Sequence, residues 1–137
     1  MEFSAIATNI SMTTGLHYFF VYRAVNSVDS SVFSDEINVA LIKYPAKTMT
    51  PIKEDLLSSM TSIYVTWDLL IANDLEELGY NLYMDSGNDG DFKLLLNGKG
   101  MPGVNYKLVE GLTTGQSYRF KVQAVNFNGT GPYSDVA

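Results

Sequence analysis

Few residues of this chain have the types and spacing that chemistry requires. The densest acidic run is Asp85-Ser86-Gly87-Asn88-Asp89-Gly90-Asp91. Carboxylates on a flexible loop can hold calcium, which takes several oxygen ligands. Counted from Asp85, however, the third position is Gly87 and the twelfth is Leu96, which breaks the helix-loop-helix calcium pattern. The same residues suit a solvated hairpin turn, because Asp, Asn and Gly accept positive φ, and that reading is preferred. Asp74, Glu76 and Glu77 lie close together. Glycoside hydrolysis needs two carboxylates held across a cleft, whereas clustered loop acids are ordinarily solvated. The one histidine, His17, is expected to face solvent, and no Cys/His pair or Gly-x-Ser-x-Gly elbow accompanies it. No catalytic residue and no cofactor are therefore expected, and the chain reads as a non-enzyme. Two glycosylation sequons, Asn9-Ile10-Ser11 and Asn128-Gly129-Thr130, are present. Chance accounts for both, and Asn128 is the better acceptor because it falls in an exposed loop.

Composition narrows the classes further. The chain has 137 residues, 46% of them hydrophobic and 18% charged, enough apolar material for a core of about one domain. A net charge of −6 argues against nucleic acid, which needs a basic face. Without cysteine there is neither a disulfide framework nor a thiolate metal site. No apolar run approaches the ~20 residues of a membrane-spanning helix. Met1-Glu2-Phe3-Ser4 does not read as a signal peptide.

The elements that must position any site read as strands. Tyr118-Arg119-Phe120-Lys121-Val122-Gln123-Ala124 alternates strictly between apolar and polar, as a half-buried antiparallel strand does. Ser62 to Trp67 alternates too, with Ile63, Val65 and Trp67 on one face. Tyr80, Leu82 and Met84 share a face of a third segment, and 92–96 and 106–108 add two more. Turn residues separate them: Gly87 to Gly90, Asn97-Gly98, Met101-Pro102-Gly103 and Thr114-Gly115. Asn73-Asp74-Leu75-Glu76 has capping-box chemistry and predicts at most a turn or two of helix. Pro45 and Pro51 flank a polar stretch that marks a junction.

That junction separates two copies of one pattern. Thr13-Thr14-Gly15, Tyr18, Phe20, Ala24-Val25-Asn26 and Ser34-Asp35 all recur one hundred positions later. Ten of the 23 positions in 13–35 match 113–135 without a gap. Such a period is too long for a solenoid and suits a whole small domain.

From Pro45 onward the chain resembles a fibronectin type III domain. The matching residues are Ile63-x-Val65-x-Trp67, Tyr80-x-Leu82-Tyr83, Leu112-x5-Tyr118-x-Phe120-x-Val122-x-Ala124-x-Asn126, and Gly129-x-Gly131-x-x-Ser134. No proline follows Trp67-Asp68, a departure from many family members. The resemblance implies an all-β, immunoglobulin-like sandwich of seven strands in two antiparallel sheets. It implies that Trp67 fills the space between sheets and that Tyr118 forms a tyrosine corner with Leu112 beside it. Tyr18 takes the equivalent place in the first copy.

The expected organisation is residues 1–43 as the C-terminal strands of an incomplete module, and 44–137 as a module whose last strand is cut short. The chain would then be a window on a tandem array. The resemblance implies a spacer and protein-interaction module of the adhesion type, at the cell surface or outside the cell, with a cytoplasmic setting as the alternative. Partner-binding candidates are Phe127 and Asn128 in the loop before the last strand. Phe19 and Val21 join them, since they stand where the second copy has Arg119 and Lys121, on an outward face. Residues 3–42 would dock on the second module, pair with another chain by strand exchange, or belong to an upstream module; the last is preferred. An accessory module of an enzyme is the remaining alternative. Tyr64 and Tyr83, on adjacent outer faces, would be needed for a carbohydrate-binding role.

Overall fold

The computed structural model describes residues 11–71 and 79–137. Asn9, the candidate strand at 3–10, and the segment holding Asn73, Asp74, Glu76 and Glu77 lie outside the described residues. The chain divides into two compact units, Met1–Ile42 and Lys43–Ala137.

The second unit is an antiparallel sandwich. Strands β3 (Ile52–Lys53), β4 (Ile63–Thr66) and β7 (Tyr106–Val109) form one sheet in the order β3-β4-β7. The second sheet contains β5 (Gly79–Met84), β6 (Lys93–Asn97), β8 (Phe120–Asn126) and β9 (Gly129–Thr130), in the order β6-β5-β8-β9. A single 3-10 turn, Asp55–Leu57, precedes β4. The period-two pattern decides which face each strand buries. Val65 and Trp67 from β4 and its extension meet Tyr80 and Leu82 of β5 and Phe120, Val122 and Ala124 of β8 in one core. Leu82, Val122 and Ala124 are fully buried. Burying side chains of this size contributes about 1.5–3 kcal/mol each for the larger ones, against the chain entropy lost on folding.

Irregular features have local causes. The pairing of β5 with β6 slips between Leu82 and Tyr83, so that Leu82 faces Leu96 while Tyr83 faces Leu94. The extra residue, Leu95, turns with Leu96 against the core, and Leu94 is left exposed. Gly98 is obligatory at the end of β6: a Cβ there would lie 2.1 Å from the Tyr80 carbonyl oxygen. The stretch between Pro45 and Pro51 is packed onto this unit. Thr48, fully buried, donates its hydroxyl to the Val122 carbonyl at 3.0 Å, and the Lys43 carbonyl accepts the Asn126 side-chain amide at 2.7 Å.

The first unit contains β1 (His17–Phe20) and β2 (Ile37–Ala40), paired antiparallel with Phe20 opposite Ile37 and His17 opposite Ala40. His17 is exposed, as the alternation requires, and its Nδ1 contacts the Asn38 side-chain oxygen at 3.0 Å.

Candidate functional site

The loop after β8 is a tight hairpin. Val125 pairs with Thr130 and Asn126 with Gly129, leaving Phe127 and Asn128 at the tip. The Asn126 side-chain oxygen accepts the Asn128 N–H at 2.9 Å, an Asx-type turn that fixes the tip. Gly129 has φ of +136°, a conformation that favours glycine. Phe127 is 45% exposed, so part of an aromatic side chain is accessible at the tip.

Toward the other end of β8 from this tip lies a face that the strand's alternation builds. Arg119 and Lys121 point away from the core. The Lys121 ammonium lies 3.9 Å from the centre of the Tyr133 ring, 4.4 Å from Phe92 and 5.8 Å from Tyr83. Tyr83 and Tyr133 meet edge to face at 5.2 Å. Cation–π contacts of this kind are worth about 0.5–1 kcal/mol each when exposed. Burial raises the Tyr83 hydroxyl above its ordinary pKa, and the neighbouring Tyr133 hydroxyl adds to the shift. Period-two reading places Arg119 and Lys121 outward, but the aromatic partners come from β5 and two loops, and no local pattern announces them.

The acidic loop holds a surprise. Gly87, Asn88 and Asp89 all have positive φ, as a hairpin turn requires. Asp85, however, is buried and not solvated. Its carboxylate accepts the Gly87 N–H at 3.1 Å, the Arg119 N–H at 2.9 Å and the Arg119 Nε–H at 2.8 Å. Burial alone would raise its pKa; the Arg119 donors and the Gly87 N–H outweigh burial and hold the carboxyl below the usual range. Asp85 thus ties the β5–β6 turn to β8, and its oxygens are engaged with N–H donors. Among the described residues no cluster of three metal-ligating side chains occurs.

Trp67 is 2% exposed and packs at a tilt on Tyr80, with ring centres 6.4 Å apart. The Tyr118 hydroxyl accepts the Thr113 N–H at 3.0 Å and donates to the Gln116 side chain at 2.9 Å. Leu112 packs against the core beside it. Tyr64 and Tyr83 are on different sheets: Tyr64 stacks on Tyr106 at 5.5 Å, so the two tyrosines do not form one platform.

The first unit repeats the second unit's hydrogen bonds one hundred residues earlier. The Tyr18 hydroxyl bonds the backbone of Thr13, as Tyr118 bonds that of Thr113. The Ser34 N–H donates to the Tyr22 carbonyl at 2.8 Å, and Ser134 to Val122 at the same distance. The Ser34 hydroxyl accepts the Tyr22 N–H at 3.0 Å, matched by Ser134 and Val122. Ser31 donates to the Ala24 carbonyl as Gly131 does to Ala124. Gly15 and Gly115 share φ values of +91° and +82°.

What surrounds the repeated strand differs. Phe120 is 5% exposed and Val122 0%, while Phe20 is 43% and Tyr22 78% exposed. Phe19 and Val21, at 59% and 49%, are open on the other face. Sequence reasoning singled out the outer pair. It passed over the inner pair, because alternation shows which residues share a face and not whether anything covers it.

Comparison with known proteins agrees with this architecture. A family model described as "Fibronectin type III domain" matches residues 57–137. Fibronectin type-III domain-containing protein 3A from Pongo abelii is 29% identical over 126 residues, covering 92% of this chain, and the human protein is 28% identical over the same length. The chain spans 10% of the length of each of these relatives. Among solved structures, the chicken CNTN1 FN1-FN3 domains align at a TM-score of 0.59 with 19% identity, covering 93% of this chain and 43% of that one. The 6th fibronectin type III domain from human fibronectin type III domain containing protein 3 aligns at 0.58 with 23% identity, covering 69% and 83%. At these identities the structural likeness speaks for the fold. The sandwich, the corner at Tyr118 and a family match over more than half of its residues lead to one conclusion: the chain belongs to the fibronectin type III domain family.

Proposed function

We propose that this chain is a segment of a tandem array of fibronectin type III modules, acting as a non-catalytic spacer and protein-interaction unit of the adhesion type. On this reading, residues 1–43 are the C-terminal strands of one module and 44–137 belong to the next. The observation that carries it is the set of corner hydrogen bonds repeated at an interval of one hundred residues, from Thr13 to Ser34 and from Thr113 to Ser134. Fibronectin type III domains are in general non-catalytic interaction modules, found in proteins outside and inside cells. The buried framework holds exposed groups at fixed spacing, and binding rests on the tip at Phe127 and Asn128 and on the outward residues Phe19 and Val21. A protein partner fits these surfaces, and the acidic balance of −6 disfavours nucleic acid. Among the described residues no helix is long and apolar enough to cross a membrane. We place the module at the cell surface or outside the cell, with a cytoplasmic setting as the alternative; expression of the chain in a secreting cell tests whether Asn128 can be glycosylated, and an amidase-sensitive mass shift lost in Asn128→Gln is the result that favours the outer setting.

The test compares proteins retained by the immobilised chain with those retained by Phe127→Ala and Val21→Ala variants. Loss of the same retained proteins, with a Leu56→Ala control unaffected, supports the reading. Identical retention by all four baits opposes it. A second reading, self-assembly by strand exchange through residues 3–42, is favoured by the exposure of Phe20 and Tyr22. Light scattering that shows mass rising with concentration supports it; a constant monomer mass removes it.

A further inference from the structure

We infer that Asn126 is the positioning residue of the β8–β9 tip, and that through it the order of Phe127 and Asn128 depends on the docking of residues 43–48. The inference rests on reading that tip as a partner-binding surface. It adds what regulates the tip: the strap by which the chain enters the second unit.

Asn126 ends β8 and is 6% exposed. A buried carboxamide carries two N–H donors and an acceptor oxygen, and stranding either end is costly. Here the two ends serve different segments. The amide nitrogen donates to the Lys43 carbonyl at 2.7 Å, eighty-three residues away in sequence. The oxygen accepts the Asn128 N–H at 2.9 Å. A carbonyl at one end and an N–H at the other allow the planar group one orientation only. If the Lys43 carbonyl leaves, the amide nitrogen loses its partner in a buried place. The rotation that finds it another takes the oxygen away from Asn128. Strap and tip are thus held or released together.

The other anchors of the strap lie on the same hairpin, on β8 or just after β9. The Tyr44 ring lies over Gly129, where a Cβ would come within 3.1 Å of it. The Pro45 carbonyl approaches Gly131 so closely that a Cβ there would lie 2.5 Å from its oxygen. The Lys47 ammonium pairs with Asp135 at 2.7 Å, an exposed contact that solvent screens. Thr48 gives the one other buried bond, its hydroxyl donating to the Val122 carbonyl. No strap residue belongs to the hydrophobic core around Val65, Trp67 and Leu82. The strap can therefore open while the core stays closed, as segments with few buried contacts do. Coupling of this kind is reciprocal: a partner that fixes the tip tightens the strap, and a pull that lifts the strap loosens the tip. The first unit supplies a reference, since the Asn26 side-chain oxygen accepts the Val28 and Asp29 N–H groups at 2.8 and 2.9 Å in the same kind of turn.

The test uses the full chain, with backbone order parameters from NMR relaxation read at Lys47, Phe127 and Asn128, and amide exchange at Asn128. Tyr44→Ala/Thr48→Val removes the ring over Gly129 and the buried hydroxyl. Order at Lys47 should fall, and Phe127 and Asn128 should fall with it from about 0.85 to below about 0.6. The Asn128 amide should exchange about tenfold faster, while Val28 and Leu82 keep their values. Asn126→Asp keeps an oxygen for the Asn128 N–H but sets another oxygen against the Lys43 carbonyl. It should release the strap and leave Asn128 ordered, and adding Tyr44→Ala/Thr48→Val should then change the tip no further. Losses that simply add would mean that Asn126 is structural and not the link. An ordered tip on a released strap would overturn the coupling, and so would a strap that stays ordered without Tyr44 and the Thr48 hydroxyl. Should the double variant lose the Trp67 core, Tyr44→Ala alone carries the test, because that ring is 66% exposed. None of these outcomes touches the partner-retention test of the tip, and identical retention by all baits would remove the binding reading without touching the coupling.

Discussion

Val122 and Tyr22 occupy equivalent places in the repeat, and truncating each to alanine should give a large loss at the first and almost none at the second. Val122 is 0% exposed in the core with Val65, Trp67 and Leu82. Removing its two methyl groups forfeits about 0.8 kcal/mol of transfer free energy per group. The cavity adds to this, because a sandwich tied by β5 and β9 on either side of β8 can collapse only partly. A loss of about 2–3 kcal/mol follows, equivalent to about 8–24 °C in Tm for a domain of this size. Tyr22 is 78% exposed, and its truncation should stay within about 0.5 kcal/mol. Urea unfolding reports the first change through Trp67, the chain's single tryptophan, which is buried in the same core. Amide exchange of Tyr18 and Phe20 in the β1–β2 ladder reports the second. A Tyr22→Ala variant that lost ladder protection as severely as Val122→Ala lowered the urea midpoint would refute the reasoning. The inner face of the first unit would then be covered.

Three further outcomes follow from the second unit. Asp85→Asn should destabilise the fold at neutral pH, because the carboxamide presents an N–H to the Arg119 Nε–H. The wild-type carboxyl has its folded pKa depressed, so its stabilisation is present above the unfolded value near 3.9 and is lost as pH falls through the folded one. Melting curves of the two proteins should converge only in that acidic range; a constant gap would contradict the assignment. Tyr118→Phe should cost about 1 kcal/mol by chemical denaturation, since Thr113 is exposed and its N–H regains water. Gly98→Ala should unfold or strongly destabilise the unit, given the 2.1 Å approach of its Cβ to the Tyr80 carbonyl. A near-native melting temperature for that variant would show that the β5–β6 pairing yields there.

How far the sequence reached can be seen in particular residues. Alternation located β4, β5 and β8 and the faces they bury, because a strand half covered by a core leaves a period-two record. The Gly87 to Asp89 turn was legible in its composition for the same reason: positive φ selects those residues. The all-β sandwich and its family followed. Asp85 was not legible as a buried group. Its burial depends on Arg119, thirty-four residues away, and an Asp in a turn looks the same whether solvated or clamped. The aromatic shell of Lys121 was missed likewise, since Tyr83, Phe92 and Tyr133 meet only through pairing of β5 with β8 and the path of two loops. Pro45 to Pro51 read as a junction because proline and polar residues mark linkers. Thr48 shows instead how a single buried hydroxyl can bind such a stretch to a sheet.

The central claim is that one strand and its corner occur twice, paired on both edges in the second unit and, among the described residues, with one strand neighbour in the first. Native-state amide exchange of the whole chain, resolved by residue, tests it most directly. The account predicts strong protection of Lys121 and Gln123, whose amides face β5, and exchange faster by orders of magnitude at Val21 and Arg23. Tyr18 and Phe20, paired with β2, should fall between. Equal protection at Val21 and Lys121, and at Arg23 and Gln123, would contradict it.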